Sequence, residues 1–88
     1  MRVEIKKFGK ILVSRPSGRE AFLVFKAYMK PTTEEEPIEL DFSGVDVLGP
    51  SWADEFISSL KEAFQNHITY LPSDNPSVIA SLKIISEP

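Results

Sequence analysis

The chain has 88 residues, 42% of them hydrophobic, and a net charge of −3, which suits one domain with one modest core. It has no cysteine, so disulfide bonds, thiolate metal sites and cysteine nucleophiles are excluded. The basic residues are spread along the chain, and we expect no nucleic-acid partner. The nearest approach to a basic cluster is formed by Arg2, Lys6, Lys7 and Lys10.

The N-terminal segment alternates charged with apolar residues and lacks the continuous apolar run of a signal peptide. No stretch of the chain approaches the roughly 20 apolar residues that a membrane-spanning helix needs. A sequence without cysteine is also compatible with a reducing compartment. We therefore expect a cytoplasmic protein without a membrane partner.

The first part of the chain predicts two strands. Val3 and Ile5 alternate with charged neighbours, which is typical of a half-buried strand. A turn over residues 8–10 and the apolar stretch 11–13 then predict a hairpin. The charged residues around it are interpreted as protection of its edges against pairing with other chains.

A helix and an acidic loop are expected next. Ser17 and Glu20 have the spacing of a capping box, and apolar residues then recur at helical spacing to about Lys30. The stretch 31–37 begins and ends with proline and contains three adjacent glutamates. It is interpreted as a solvated connection.

The next elements are a strand and the clearest helix of the sequence. Ile38, Leu40 and Phe42 alternate with acidic residues, which predicts a strand near the centre of the sheet. Residues 43–50 contain glycine and proline and predict a change of direction. Residues 51–66 place their apolar side chains on one face, which predicts an amphipathic helix.

The last elements complete an alternating order. Residues 68–71 predict a short strand, and Asn75 followed by Pro76 predicts the cap and first position of a final helix. The stripe expected to be buried on that helix comprises Val78, Ile79, Leu82 and Ile85. The order β-β-α-β-α-β-α predicts a single α/β domain over residues 1–88, with an open mixed sheet of about four strands and three helices.

Two short segments carry a family resemblance. Residues 41–45, Asp-Phe-Ser-Gly-Val, followed by Ser51 at a helix start, resemble the core of STAS domains, named for sulfate transporters and anti-sigma-factor antagonists. Residues 51–55, Ser-Trp-Ala-Asp-Glu, resemble the helix start of the STAS-like domain family of unknown function. Asn75 before the last helix and the Ser-Arg pair at 14–15 also match that family.

This resemblance covers roughly residues 11–85 and implies a STAS-like fold and a regulatory, protein-binding role in signalling. In bacterial anti-sigma-factor antagonists, a partner kinase phosphorylates the serine that matches Ser51, and phosphorylation releases the complex. Members of the closer family are often associated with ATPase domains of the histidine-kinase type. The resemblance thus implies such an ATPase as partner and phosphorylation of Ser51 as the switch. The implied partner-binding residues are Asp41, Gly44, Gly49, Ser51, Trp52, Asp54 and Glu55.

Several of these residues also fit ordinary structural roles. Ser51, with Asp54 three positions later, fits an N-cap followed by an acidic first turn. A phosphate on Ser51 would meet the free amides of the helix start but also the charges of Asp54 and Glu55, so two effects oppose each other. Asp41 fits a hydrogen bond to the turn that follows it, and Trp52 fits the core.

The chemistry-bearing residues indicate binding rather than catalysis. The sequence has no glycine-rich phosphate loop and no nucleophile elbow, and its single histidine, His67, fits a helix end. We therefore expect a non-catalytic interaction module, a monomer or weak homodimer, without cofactor or metal. The alternative is a domain that binds a small ligand, a nucleotide or an anion, at the carboxyl ends of the strands between Asp41 and Ser51.

Overall fold

The computed structural model describes residues 1–87, which contain three α-helices, five short strands and one 3₁₀ helix. The helices are α1 (Arg15–Tyr28), α2 (Pro50–Ala63) and α3 (Pro76–Ser86). The strands are β1 (Arg2–Glu4), β2 (Ile11–Leu12), β3 (Ile38–Asp41), β4 (Val47–Leu48) and β5 (Ile68–Tyr70). The 3₁₀ helix, Ile5–Phe8, lies between β1 and β2.

The strands form two parallel sheets. The larger sheet has the order β1-β3-β5, and the smaller one contains β2 and β4. The expectation that 38–42 lies near the centre is confirmed, because β3 is the middle strand. The prediction of one mixed sheet of about four strands is wrong, since all three strand pairs run parallel and two sheets are present.

The predicted N-terminal hairpin is also wrong. The 3₁₀ helix, Ile5–Phe8, turns the chain at the end of β1, and Gly9 continues that turn with a φ of 136°. β1 and β2 therefore part and pair with different strands, β1 with β3 and β2 with β4. A parallel partner must come from a distant part of the chain, because a tight turn joins only antiparallel strands.

The starts of α1 and α3 follow side-chain capping. Ser14, not Ser17, caps α1, because its Oγ accepts a hydrogen bond from the Ser17 amide at 3.2 Å and Pro16 fits inside the first turn. The predicted capping box of Ser17 and Glu20 is therefore wrong, and the cap lies three residues earlier. The predicted cap of α3 is confirmed, since the Asn75 side chain accepts from the amides of Ser77 and Val78.

The core is formed mainly by α1, α2 and the sheets. Trp52 and Phe56, one turn apart on α2, are fully buried and stack with ring centroids 5.0 Å apart. Phe25 of α1 meets Phe56 edge-on at 6.3 Å. The predicted stripe of α3 is confirmed at Val78 but not at Ile79, which is 52% exposed because it lies on the outer face of that helix.

Candidate functional site

Five of the seven predicted site residues lie around the start of α2, where Ser51 is exposed. Gly49, not Ser51, is the N-cap, and Pro50 takes the first turn, where its missing amide proton is not needed. The capping role considered for Ser51 is therefore wrong. Within residues 1–87 the Ser51 hydroxyl makes no hydrogen bond, so it is free to react or to contact another molecule.

Trp52 lies next to Ser51 in sequence but faces the interior. Its ring is fully buried against Phe56, and its Nε1 donates a hydrogen bond to the Ser17 hydroxyl at 3.2 Å. The core role predicted for Trp52 is therefore confirmed, and the partner-binding role that the resemblance implied for it is wrong. A Trp52→Ala variant would test core packing rather than recognition, at a cost of about 3–5 kcal/mol of folding free energy.

Asp54 and Glu55 extend the site toward α1. Arg15 Nη1 lies 2.8 Å from Asp54 Oδ2 and 3.5 Å from Glu55 Oε1, so one guanidinium bridges both carboxylates. The hydrogen bond from Arg15 lowers the pKa of Asp54 below its usual value. Asp54 also accepts a hydrogen bond from the Ser58 hydroxyl at 3.1 Å. The acidic first turn predicted for α2 is wrong, because the helix begins at Pro50 and both carboxylates lie beyond its first turn.

Arg15 was missed as a site residue in the sequence. Its only signal was the Ser-Arg pair at positions 14–15 in the family resemblance, which carries no information about where the side chain lies. The contact between Arg15 and Asp54 joins residues 39 positions apart, so it depends on the packing of α1 against α2.

An open hollow of about 320 Å³ lies beside Ser51. It has a charged side formed by Arg15 and Asp54 and an apolar side formed by the end of α3. Its lining residues are Arg15, Pro50, Ser51, Asp54, Ile84, Ile85 and Glu87. Ser51 therefore lies between an ion pair and an apolar surface, a combination that suits contact with a protein.

Asp41 and Gly44 form a separate structural unit. Asp41 is buried at the end of β3, where its Oδ1 accepts from the Ser43 amide at 2.9 Å and its Oδ2 accepts from Arg2 Nε at 2.9 Å. These bonds, that from Ser43 first, lower the pKa of Asp41 from 3.8 to about 2. Gly44 has a φ of 85°, which requires glycine in this turn. The predicted hydrogen bond between Asp41 and its turn is confirmed, with the carboxylate as acceptor.

A second, larger pocket lies next to that turn. It has a volume of about 540 Å³ and is formed by two loops, 42–45 and 72–75. The Asn75 Nδ2 ties these loops together, because it donates to the carbonyls of Val45 and Asp46 at 3.0 Å each. Ser51 lines the smaller hollow and not this pocket, so the predicted site residues separate into two groups.

Among residues 1–87, no three histidine, aspartate or glutamate side chains lie close enough together to hold a metal ion. No helix in the same range is both long enough and apolar enough to cross a membrane.

A family comparison covers most of this site. The family model for the STAS-like domain of unknown function (DUF4325) matches residues 23–78, from the middle of α1 to the start of α3. Searches among curated proteins and among solved structures gave no match. The matched range includes Ser51, Asp54 and Glu55 but not Arg15. Because it spans more than half of the 88 residues, this chain belongs to the family of STAS-like domains of unknown function.

Proposed function

We propose that this STAS-like domain is a non-catalytic regulatory module that docks a protein partner through the start of α2. The observation that carries the proposal is Ser51, an exposed hydroxyl without an internal hydrogen bond, on a helix start that buried Trp52 holds in place. The ion pair of Arg15 with Asp54 on one side and the apolar end of α3 on the other give this surface mixed chemistry.

The lack of a histidine close to Ser51 supports a binding role. The only histidine of the sequence, His67, follows the far end of α2, and the last residue of that helix, Ala63, lies about 18 Å from Ser51 at 1.5 Å per helical residue. A serine nucleophile needs a base within hydrogen-bond reach. We further propose that the module works in the cytoplasm and that its partner is an ATPase of the histidine-kinase type, as the family resemblance implies.

Phosphorylation of Ser51 would change the charge balance of this surface. A phosphate adds about 1.5 to 2 negative charges, which would meet the carboxylates of Asp54 and Glu55 but also the guanidinium of Arg15. Arg15 prefers bidentate phosphate contacts, so we expect it to leave Asp54 for the phosphate. The exposed carboxylates would then repel an acidic partner, which makes Ser51 a switch for release.

The proposal predicts a specific loss of partner binding in Ser51→Glu. The partner is first identified by affinity purification from the native host with mass spectrometry, and then purified for calorimetry. We expect the added charge to weaken binding about tenfold or more, because like charges at an interface are costly. Gln65→Glu, beyond the end of α2, adds the same charge and should bind normally.

Equal affinity of Ser51→Glu and the unaltered chain would refute docking at this surface. Phosphorylation is tested separately, by mass spectrometry of the chain isolated from the host. If Ser51 is never modified there but Ser51→Glu loses the partner, the docking surface stands and the switch does not.

A second candidate function rests on the pocket of about 540 Å³ between loops 42–45 and 72–75. It lies at the carboxyl end of the central strand β3, where open α/β sheets bind small ligands. Thermal-shift screening with nucleotides and inorganic anions separates the two functions. A shift of several degrees with one ligand, and amide shifts confined to the two loops, would favour this second function.

A further inference from the structure

The two outer edges of the smaller sheet differ. The edge of β4 is closed by two serines of α3, because Ser77 Oγ accepts from the Leu48 amide at 3.0 Å and Ser81 Oγ donates to the Leu48 carbonyl at 2.6 Å. These hydroxyl groups occupy the positions that a further strand would use. No added strand can therefore pair with β4 on this side.

The edge of β2 is open. The carbonyls of Lys10 and Leu12 accept hydrogen bonds from the amides of Val47 at 3.0 Å and Gly49 at 2.7 Å, so both point toward β4. Because peptide groups alternate in direction along a strand, those of Ile11 point to the outer side. Within residues 1–87, no strand pairs with β2 there.

The side chains along this edge are apolar and exposed. Ile11 is 68% exposed and Val13 50% exposed, and both lie on the outer face, since Leu12 between them is buried. Val47, the register partner of Ile11 on β4, is 40% exposed on the same face. An added strand would therefore bury apolar surface as well as satisfy peptide groups.

The charge at the start of β2 is unbalanced. In the N-terminal basic cluster, Arg2 pairs with Asp41, and Lys6 and Lys7 pair with Glu4 at 3.8 and 3.4 Å. Lys10 has no carboxylate within 4 Å among residues 1–87. It directly precedes Ile11, so an acidic side chain on an added strand would meet an unpaired cation.

The open edge adjoins the surface of the proposed function. Val13 follows β2 and packs against Gly49, the N-cap of α2, so closely that a Cβ on Gly49 would lie 3.1 Å from Val13 Cα. Gly49 precedes Ser51 by two positions, so a partner that contacts Ser51 also comes close to the edge of β2.

We propose that an extended segment of the partner pairs with β2 as an antiparallel strand, reading apolar, small, apolar, acidic. Antiparallel pairing is favoured because it is slightly more stable per residue. It sets the apolar residues opposite Val13 and Ile11, and the acidic residue opposite Lys10. The small residue lies opposite Leu12, whose side chain fills the core. This inference rests on the proposed function and names the chemistry of its partner.

A second copy of this chain fits the edge less well. Two β2 strands paired antiparallel about Leu12 would set Ile11 opposite Val13, which is favourable. They would also set Lys10 opposite Ser14, which leaves the cation without a carboxylate. Charge complementarity therefore favours a different, acidic segment.

The test uses a defined probe, the acetylated and amidated hexapeptide Thr-Val-Ser-Val-Asp-Thr. It is titrated into the ¹⁵N-labelled chain and followed by amide chemical shifts. We expect saturable shifts at Lys10, Ile11 and Val13, and slower hydrogen exchange of the Ile11 amide when the peptide is bound. Ile11→Glu should abolish the shifts, whereas Leu23→Glu, at a site of 48% exposure on α1, should leave them unchanged.

A charge exchange isolates the contact with Lys10. Replacing the aspartate of the peptide by lysine should weaken binding about two- to fivefold, the size of an exposed ion pair. The Lys10→Glu variant should prefer the lysine peptide instead. If the Lys10→Glu variant still prefers the aspartate peptide, the proposed acidic residue opposite Lys10 is refuted.

Other outcomes would overturn the strand pairing. Absence of saturable shifts, or shifts confined to the two loops at 42–45 and 72–75, would refute it. Concentration-dependent dimerisation that Ile11→Glu removes would mean that a second copy occupies the edge. If Ser51→Glu loses the natural partner while Ile11→Glu retains it, the proposed function holds and this pairing is wrong.

Discussion

Adjacent residues at the start of α2 meet opposite environments. Ser51 is exposed and Trp52 is fully buried, because successive side chains on a helix point about 100° apart. The family motif combines these two residues, yet only one of them is available to a partner. The recognition proposed for Ser51 and the packing of Trp52 therefore have to be probed by different substitutions.

Asp41 provides a pH-dependent contribution to stability. With a folded pKa of about 2 instead of 3.8, its carboxylate stabilises the fold fully above pH 3.8 and loses this effect as the pH falls toward 2. Asp41→Asn should therefore cost about 1–2 kcal/mol at pH 6 and much less at pH 2.5. Urea unfolding at both values measures the difference.

Asp46→Asn serves as the control for Asp41→Asn. Asp46 lies five residues later and is exposed, so its substitution should change stability by about 0.5 kcal/mol or less at either pH. A cost of Asp41→Asn that stays constant between pH 6 and pH 2.5 would contradict the role assigned to the carboxylate.

The contact between α1 and α2 depends on one glycine. A Cβ on Gly18 would lie 2.7 Å from the Trp52 carbonyl oxygen, a distance at which backbone must move. On either side of this close approach, the helices are joined by polar contacts, Arg15 with Asp54 and Arg19 with the Ser59 hydroxyl at 3.4 Å. The absence of a side chain at Gly18 and the polar contacts of Arg15 and Arg19 together determine how the two helices pack.

Gly18→Ala should destabilise the protein, although the same change normally stabilises a helix. Helix propensity favours alanine by roughly 0.5–1 kcal/mol, but separation of the packed helices should cost about 1–3 kcal/mol. Thermal and urea unfolding measure the net effect. Ala27→Gly at an exposed position of α1 reports propensity alone, and a stabilised Gly18→Ala variant would refute the close approach.

Across the whole molecule, the two sheets differ in how well their strands are protected. β3 has a partner strand on each side and buried residues at Ile38 and Leu40, whereas β2 has one partner and two residues. Hydrogen bonds and burial are therefore concentrated in the β1-β3-β5 sheet. The smaller sheet, which adjoins the start of α2, has fewer strands and fewer buried residues.

Amide hydrogen exchange should reproduce this difference. We expect the Leu40 amide to exchange only through global unfolding, and the outward-facing Ile11 amide to exchange near the rate of an unstructured chain. The Leu12 amide, which faces β4, serves as the internal control and should be slower than that of Ile11. Equal protection of Ile11 and Leu12 would mean that the edge of β2 is covered.

The helices, the cap at Asn75, the turn at Asp41 and the family could be predicted because these features depend on neighbouring residues. Helix hydrogen bonds join positions four apart, and caps and turns span two or three. The partners of β1 and β2 and the role of Arg15 could not be predicted in this way. The contacts of Arg2 with Asp41 and Arg15 with Asp54 each span 39 positions, and packing of distant segments, not local sequence, brings such residues together.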